Sequence, residues 1–138
     1  MTKLKIDNVV KEYVGNKGKT IALNGVSLDI KENEFICVVG PSGCGKSTLL
    51  NIIAGLLEPT SGAVYLDGKK IEGTGVERGV VFQGYALFPW RTVLKNVMFG
   101  LEMKRMPKDQ AEKIAKKYIK AVGLEGFEHA YPDRKSVV

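Results

Sequence analysis

The residues with the clearest capacity for chemistry are the glycines, lysine and serine of Gly40–Ser47, which reads Gly-Pro-Ser-Gly-Cys-Gly-Lys-Ser. The segment fits the pattern G-x-x-x-x-G-K-[ST] of a phosphate-binding loop. Its glycines allow successive backbone N–H groups to point inward and form a nest for an anion. Lys46 would supply an ammonium for the β- and γ-phosphates, and the Ser47 hydroxyl is placed to ligate Mg²⁺. The segment therefore predicts binding of a nucleotide phosphate.

The elements on either side of this loop agree with that interpretation. Phe35–Val39 is a continuous apolar run, which is typical of a strand buried on both faces in a parallel sheet. Residues 48–57 have no helix breaker before Gly55 and predict a helix, whose N-terminal amides would add to the anion site. The alternative is a glycine-rich turn that matches the pattern by chance, and the strand and helix context argues against it.

The rest of the chain predicts a mixed domain of strands and helices. Alternating apolar residues at 3–14 and 20–30 predict two antiparallel strands with one solvated face. Asp67-Gly68 is a type I′ hairpin signal after a short strand at 63–66. Further elements are expected as an apolar strand at 79–82 and as helices at 92–103 and 107–122.

The last of these helices has the clearest pattern. Pro107 suits its first position and Gly123 suits the position just past its end. Its apolar residues fall on one stripe. They are Ala111, Ile114, Ala115, Tyr118, Ile119 and Val122.

Composition sets the broad class of the protein. The chain has 138 residues, 44% of them hydrophobic, and a net charge of +6, which fits one globular domain with a phosphate, nucleic-acid or anionic-lipid ligand. No apolar run approaches the length of a membrane span, and the N-terminal residues do not form a secretory signal. The two cysteines have no zinc-like spacing. These features predict a soluble cytosolic domain and argue against membrane-spanning, secreted and disulfide-stapled proteins.

Several classes of protein use a phosphate loop. A GTPase would need Asn-Lys-x-Asp after a later strand, but Asn16-Lys17 precedes the loop and lacks the Asp. A small-molecule kinase or a short nucleotide-binding module remains an alternative. Residues 40–50, Pro59–Gly62, Asp67-Gly68 and Val81-Phe82-Gln83 together resemble the ATP-binding cassette (ABC) transporter family over residues 3 to about 132.

This resemblance implies the N-terminal part of the P-loop NTPase (ABC ATPase) fold. That α/β fold would comprise an antiparallel β subdomain, parallel core strands and the start of a helical subdomain. The implied ligands are ATP and Mg²⁺, with Ser47 and Gln83 on the metal and Lys46 and Gln83 in catalysis. The implied nucleotide-binding residues are Tyr13, Gly40, Pro41, Ser42, Gly43, Cys44, Gly45, Lys46, Ser47 and Thr48.

Three of these residues also have plainer interpretations. The resemblance implies that Tyr13 stacks on adenine, but strands favour Tyr in any case. It implies that Gln83 senses the γ-phosphate, but Gln83 would equally suit a solvent-facing strand end. Cys44 lies near a helix N-terminus, which would lower the pKa of its thiol, or it is simply small enough for the loop.

Residues 77–83, 86–93 and 96–102 resemble the nitrate, sulfonate and taurine branch of ABC importers. The branch implies a permease partner, a second ATP-binding subunit, an indirect solute-binding protein and no nucleic acid. It also implies a peripheral location on the cytoplasmic face of the cell membrane. Exposed Phe88 and Trp90 would help form the groove for the permease, unless they are local core.

The family's signature motif, Walker B carboxylates and switch histidine are not found in the sequence. Residues 1–132 are therefore expected to be a partial ATP-binding domain, inactive in hydrolysis by itself and unstable. Residues 133–138, Asp-Arg-Lys-Ser-Val-Val, match the in-frame translation of a short-read sequencing adapter. We expect this segment to be a non-native tail.

Overall fold

The computed structural model describes residues 2–16, 18–84 and 86–132. These residues fall in two compact units that divide between Val81 and Phe82. The predicted non-native tail at 133–138 lies outside the described residues. No helix within the described ranges is long and apolar enough to cross a membrane.

The first unit contains a four-stranded antiparallel sheet. Its strands are β1 (Thr2–Gly15), β2 (Gly18–Lys31), β3 (Ser61–Leu66) and β4 (Lys69–Lys70), in the order β2-β1-β3-β4. Pairing of β1 with β2 confirms the predicted antiparallel strands.

The hairpin between β3 and β4 also follows the prediction. Asp67 and Gly68 have φ values of 48° and 75°, the two positive values that a type I′ turn requires. The Lys3 Nζ donates to Asp67 Oδ2 at 2.8 Å, a hydrogen bond that raises the pKa of Lys3.

Helix α1 (Lys46–Ala54) packs its apolar side against this sheet. It ends at Gly55, where φ is 76° and the Leu56 N–H donates to the Asn51 carbonyl at 2.9 Å, as in a glycine C-cap. The helix confirms the prediction made for residues 48–57. The shared core consists of Ile6, Val9, Leu23, Leu49, Ile52 and Val64.

Two predicted core strands differ in the structure. Phe35–Val39 was predicted to be a strand buried on both faces, and this is wrong for the described residues: Phe35 is 92% and Val39 86% exposed, and the segment pairs with no described strand. Gly79–Phe82 is likewise unpaired, and Val81 is 100% exposed. An apolar run favours burial, but a strand forms only where a neighbour satisfies its N–H and C=O groups. The described sheet takes its members from other segments.

The second unit is built on two helices, α2 (Val93–Met103) and α3 (Lys108–Ala121). Both were predicted, although Pro107 lies one position earlier than expected, at the N-cap. Gly123 has a φ of 73°, which suits its predicted place just past α3. Of the predicted stripe, Tyr118 and Val122 are exposed. The core of the unit consists of Leu94, Met98, Ala111, Ala115 and Ile119.

Candidate functional site

The segment Gly40–Gly45 leads directly into the N-terminus of α1. Gly43 and Gly45 adopt positive φ values of 80° and 96°, a conformation that side chains other than glycine rarely adopt. A Cβ on Gly45 would collide with the Ala22 carbonyl oxygen and lie 3.0 Å from the Leu23 side chain. Glycine is therefore required at residue 45 both by its backbone angle and by the close approach of β2.

Within the part of the chain that the structure describes, no side-chain hydrogen bond caps the N-terminus of α1. Gly45 is the N-cap residue, it makes no side-chain cap hydrogen bond, and the first turn contains no acidic residue. The first N–H groups of a helix lack partners inside the helix and carry its positive dipole end. This end of α1 is therefore suited to an anionic ligand.

The Lys46 side chain folds back over the loop. Its Nζ donates to the carbonyl oxygens of Gly40 at 2.6 Å and Pro41 at 2.7 Å, and it lies 3.4 Å from Cys44 Sγ. An ammonium has three N–H donors, of which two go to carbonyl oxygens and the third to Cys44 Sγ. A thiol sulfur is a weak acceptor, so a phosphate oxygen would replace it at this donor. Gly40 also has little room for a side chain, because a Cβ there would lie 2.7 Å from Cys44 Sγ.

The structure brings Tyr13 to the same place. The Tyr13 hydroxyl lies 3.4 Å from Thr48 Oγ1, in the first turn of α1. Tyr13 is 44% exposed, so part of its ring is accessible. Ser42 and Ser47 are exposed and offer hydroxyl groups beside the loop. The predicted nucleotide-binding residues of this unit thus gather around the N-terminus of α1, and their roles remain predictions.

One residue near Tyr13 was missed in the sequence. The Lys11 Nζ lies 5.6 Å from the centroid of the Tyr13 ring and donates to the Glu58 carbonyl oxygen at 2.8 Å. The spacing of Lys11 and Tyr13 was a signal in the sequence, because residues two positions apart on a strand share a face. This signal was weak, because a strand has two faces and the sequence alone does not show which face packs against α1.

In the second unit, Phe88 and Trp90 differ in environment. Phe88 is half-buried and contacts Phe99 edge-on, with ring centroids 4.7 Å apart. Trp90 is 72% exposed, and its ring centroid lies 5.5 Å from that of Phe88. Phe88 is therefore partly covered by Phe99, whereas Trp90 is presented at the surface. Gln83 is exposed near the start of this unit, and its role in metal binding and catalysis remains a prediction.

Asn96 fixes the turn that carries these aromatic residues. Its Oδ1 accepts from the Phe88 N–H at 2.8 Å. Its Nδ2 shares its two N–H groups among the carbonyl oxygens of Phe88 at 3.1 Å, Arg91 at 2.9 Å and Thr92 at 3.0 Å. One side chain thus satisfies backbone groups along the whole turn, which sets the position of Trp90.

Comparisons with known protein families and with individual relatives all match ABC transporter ATP-binding proteins. The model of the family described as ABC transporter matches residues 23–136. An uncharacterized ABC transporter ATP-binding protein of Methanocaldococcus jannaschii is 61% identical over 130 residues, which are 94% of this chain and 49% of the relative. The nitrate import ATP-binding protein of Synechocystis is 46% identical over 94% of this chain and 48% of its own length. The taurine import ATP-binding protein of Pelagibacter ubique is 49% identical over 92% and 48%.

Solved structures show the same similarity. A dimeric bacterial ABC transporter cassette aligns with a TM-score of 0.83 at 38% identity, covering 94% of this chain and 61% of the cassette. A dimeric ATP-binding cassette in a post-hydrolysis state bound to ADP and Pi aligns with a TM-score of 0.82, at the same identity and coverage. The chain spans about half the length of the curated relatives it matches.

Proposed function

This chain belongs to the ABC transporter family, and on that premise we propose that it provides the ATP-binding half of the ATPase site of a solute importer. The predicted ABC ATPase fold class is confirmed by the solved cassettes. The observation that carries the proposal is the loop itself, in which Lys46 is held across Gly40 and Pro41 at an uncapped helix N-terminus. This arrangement suits the phosphates of a nucleotide.

Each residue of the site would have a defined task toward ATP. The backbone N–H groups of Gly43–Thr48 would surround the β-phosphate, and Lys46 would neutralise charge on the β- and γ-phosphates. Tyr13 would stack on adenine. An aromatic ring beside the first turn of α1 supports that role, since a planar base and a planar ring stack favourably.

The residues present also fit a magnesium ion. Oxygen donors are the ligands that Mg²⁺ prefers, and the Ser47 hydroxyl is exposed in the first turn of α1. We propose that the Ser47 hydroxyl holds the ion together with phosphate oxygens; the metal role of Gln83 rests on the family resemblance alone. The ion would neutralise charge on the transferred phosphoryl group.

Hydrolysis and transport are proposals for the whole protein. Two ATP-binding subunits would enclose ATP between them, as the dimeric state of the similar cassettes suggests. The import relatives favour an importer of a nitrate-, sulfonate- or taurine-like solute. The solute itself would contact the permease and a solute-binding protein, and we propose no nucleic-acid partner.

We further propose that the second unit contacts the permease at the cytoplasmic face of the membrane. The exposed Trp90, supported from behind by Phe88, is the feature that favours this contact. Large exposed aromatic residues are typical of protein interfaces. In the whole protein we take residues 1–132 as part of the ATP-binding domain and residues 133–138 as non-native.

The experiment that tests the binding function compares the parent chain with Lys46→Ala. Titration with Mg-ATP and with Mg-tripolyphosphate should give saturable binding that Lys46→Ala weakens by at least about tenfold, since a charge-assisted contact contributes about 1.5–3 kcal/mol. Lys69→Ala is the matched control, because it removes an exposed lysine of the same unit at the β3–β4 hairpin. Equal affinity of the parent and Lys46→Ala would refute the proposal.

A further inference from the structure

We propose that Lys11 is a positioning residue that holds Tyr13 in place for stacking on the base of a nucleotide. The inference rests on the proposed function, in which Tyr13 binds adenine. In this proposal Lys11 does not itself contact phosphate or metal. Lys11 acts through Tyr13, by covering one face of its ring.

The first observation is the placement of the two side chains. Lys11 and Tyr13 are two positions apart on β1 and therefore share a face of the strand. The Lys11 Nζ lies 5.6 Å from the centroid of the Tyr13 ring, within the distance at which an ammonium is attracted to an aromatic face. A cation on one face leaves the other face for a planar base.

The second observation is that Lys11 is anchored. Its ammonium donates to the Glu58 carbonyl oxygen at 2.8 Å. The loop that bears this carbonyl is joined to β1 at two further points, because the Thr60 N–H donates to the Val10 carbonyl at 2.8 Å and the Glu12 N–H donates to Thr60 Oγ1 at 2.9 Å. The end of this long side chain is therefore fixed over the ring.

The third observation concerns the opposite end of the tyrosine. The Tyr13 hydroxyl lies 3.4 Å from Thr48 Oγ1, so the ring is held at its hydroxyl by α1 and over its face by Lys11. A ring fixed in this way loses little side-chain freedom when a base stacks on it. The chemistry therefore predicts a ligand with a planar base attached to a phosphate chain.

The test separates the contribution of the base to binding affinity from the contribution of the phosphates. Dissociation constants for Mg-ATP and for Mg-tripolyphosphate, which has no base, are measured on the parent chain, Lys11→Met, Lys11→Arg, Tyr13→Ala and the double variant Lys11→Met/Tyr13→Ala. Lys19→Met serves as the matched control, because Lys19 is an exposed lysine of the same hairpin that pairs with Glu12. Tripolyphosphate binding also reports that each variant keeps its phosphate loop.

We expect Lys11→Met to weaken Mg-ATP binding by about two- to fivefold, the range that a partly exposed cation–ring contact supports. Tripolyphosphate affinity should not change, Lys11→Arg should restore ATP affinity, and Lys19→Met should have no effect. In the Tyr13→Ala background, Lys11→Met should cause no further loss of ATP affinity.

The outcomes distinguish the two proposals. An unchanged ATP affinity in Lys11→Met, with a weakened one in Tyr13→Ala, would overturn only the inference about Lys11. An equal loss for ATP and tripolyphosphate would also overturn it, because Lys11 would then act through charge on the phosphates. Unchanged ATP affinity in Tyr13→Ala would remove the adenine role of Tyr13 and the inference with it. Failure of the parent chain to bind either ligand would refute the proposed function as well.

Discussion

The ammonium of Lys46 donates a hydrogen bond to the carbonyl oxygen of Gly40 over 2.6 Å, although six positions separate the two residues. The same ammonium donates a second hydrogen bond to the Pro41 carbonyl oxygen, and together the two bonds close the loop. The loop is thus held in shape by its own lysine, so that less of the ordering cost falls on the binding of a phosphate. The backbone conformations of Gly43 and Gly45 make this closure possible.

Gly45→Ala should impair both the stability of the first unit and phosphate binding. The left-handed backbone costs a residue with a Cβ about 1–2 kcal/mol, and the new methyl would also collide with the Ala22 carbonyl. Gly43→Ala is the matched control, because its φ is also positive but no atom lies within 4 Å of the added Cβ. The rate of limited proteolysis of the first unit and tripolyphosphate titration of the soluble fraction measure both effects. A larger loss in Gly43→Ala than in Gly45→Ala would show that packing against β2 does not matter.

The chain should release no phosphate from ATP above background. The loop binds phosphates, but the sequence contains no apolar strand followed by the Asp-Glu pair that would hold the metal and orient water. A coupled phosphate-release assay on purified protein, run beside Lys46→Ala, measures this. Steady release by the parent chain that disappears in Lys46→Ala would contradict the prediction and require a catalytic carboxylate elsewhere in the chain.

The chain should aggregate through Phe35–Val39. This run is apolar, exposed at Phe35 and Val39, and unpaired in the described structure, and open strand-forming segments associate with other chains. Phe35→Lys combined with Val39→Lys should raise the soluble fraction, whereas Val14→Lys, a change at another exposed apolar residue but on the paired strand β1, should not. Light scattering and gel filtration measure the effect. A purified monomer of the parent chain with a sharp, cooperative thermal transition would contradict it.

Asn96→Ala should loosen the turn that carries Trp90. The substitution removes the acceptor of the Phe88 N–H and the amide donor to the Arg91 carbonyl oxygen, at a cost of about 1–3 kcal/mol for partly buried groups left unpaired. The carbonyl oxygens of Phe88 and Thr92 keep backbone donors. Trp90 is the single tryptophan, so its fluorescence anisotropy should fall. Lys95→Ala, which truncates an exposed neighbour on α2, should leave the anisotropy unchanged. An equal fall in both variants would exclude a specific role for Asn96.

The elements that the sequence predicted correctly depend on local chemistry. Glycines and a lysine at fixed spacing predicted the loop and α1, Asp67-Gly68 predicted the hairpin, and a stripe of period 3.6 predicted α3. Turn conformations and helix caps are decided within a few residues of the chain. A sequence pattern therefore carries nearly all the information that these elements require.

Only the tertiary structure decided which residues are buried and which side chains are in contact. The apolar run Phe35–Val39 predicted a buried strand, yet it is exposed because burial depends on segments distant in the chain. Phe88 and Trp90 gave the same signal in sequence, but only Phe88 lies against Phe99. The position of Lys11 over Tyr13 required β1 to meet the Glu58 loop. Each of these results depends on contacts between different elements of the structure, which periodicity and local propensity do not encode.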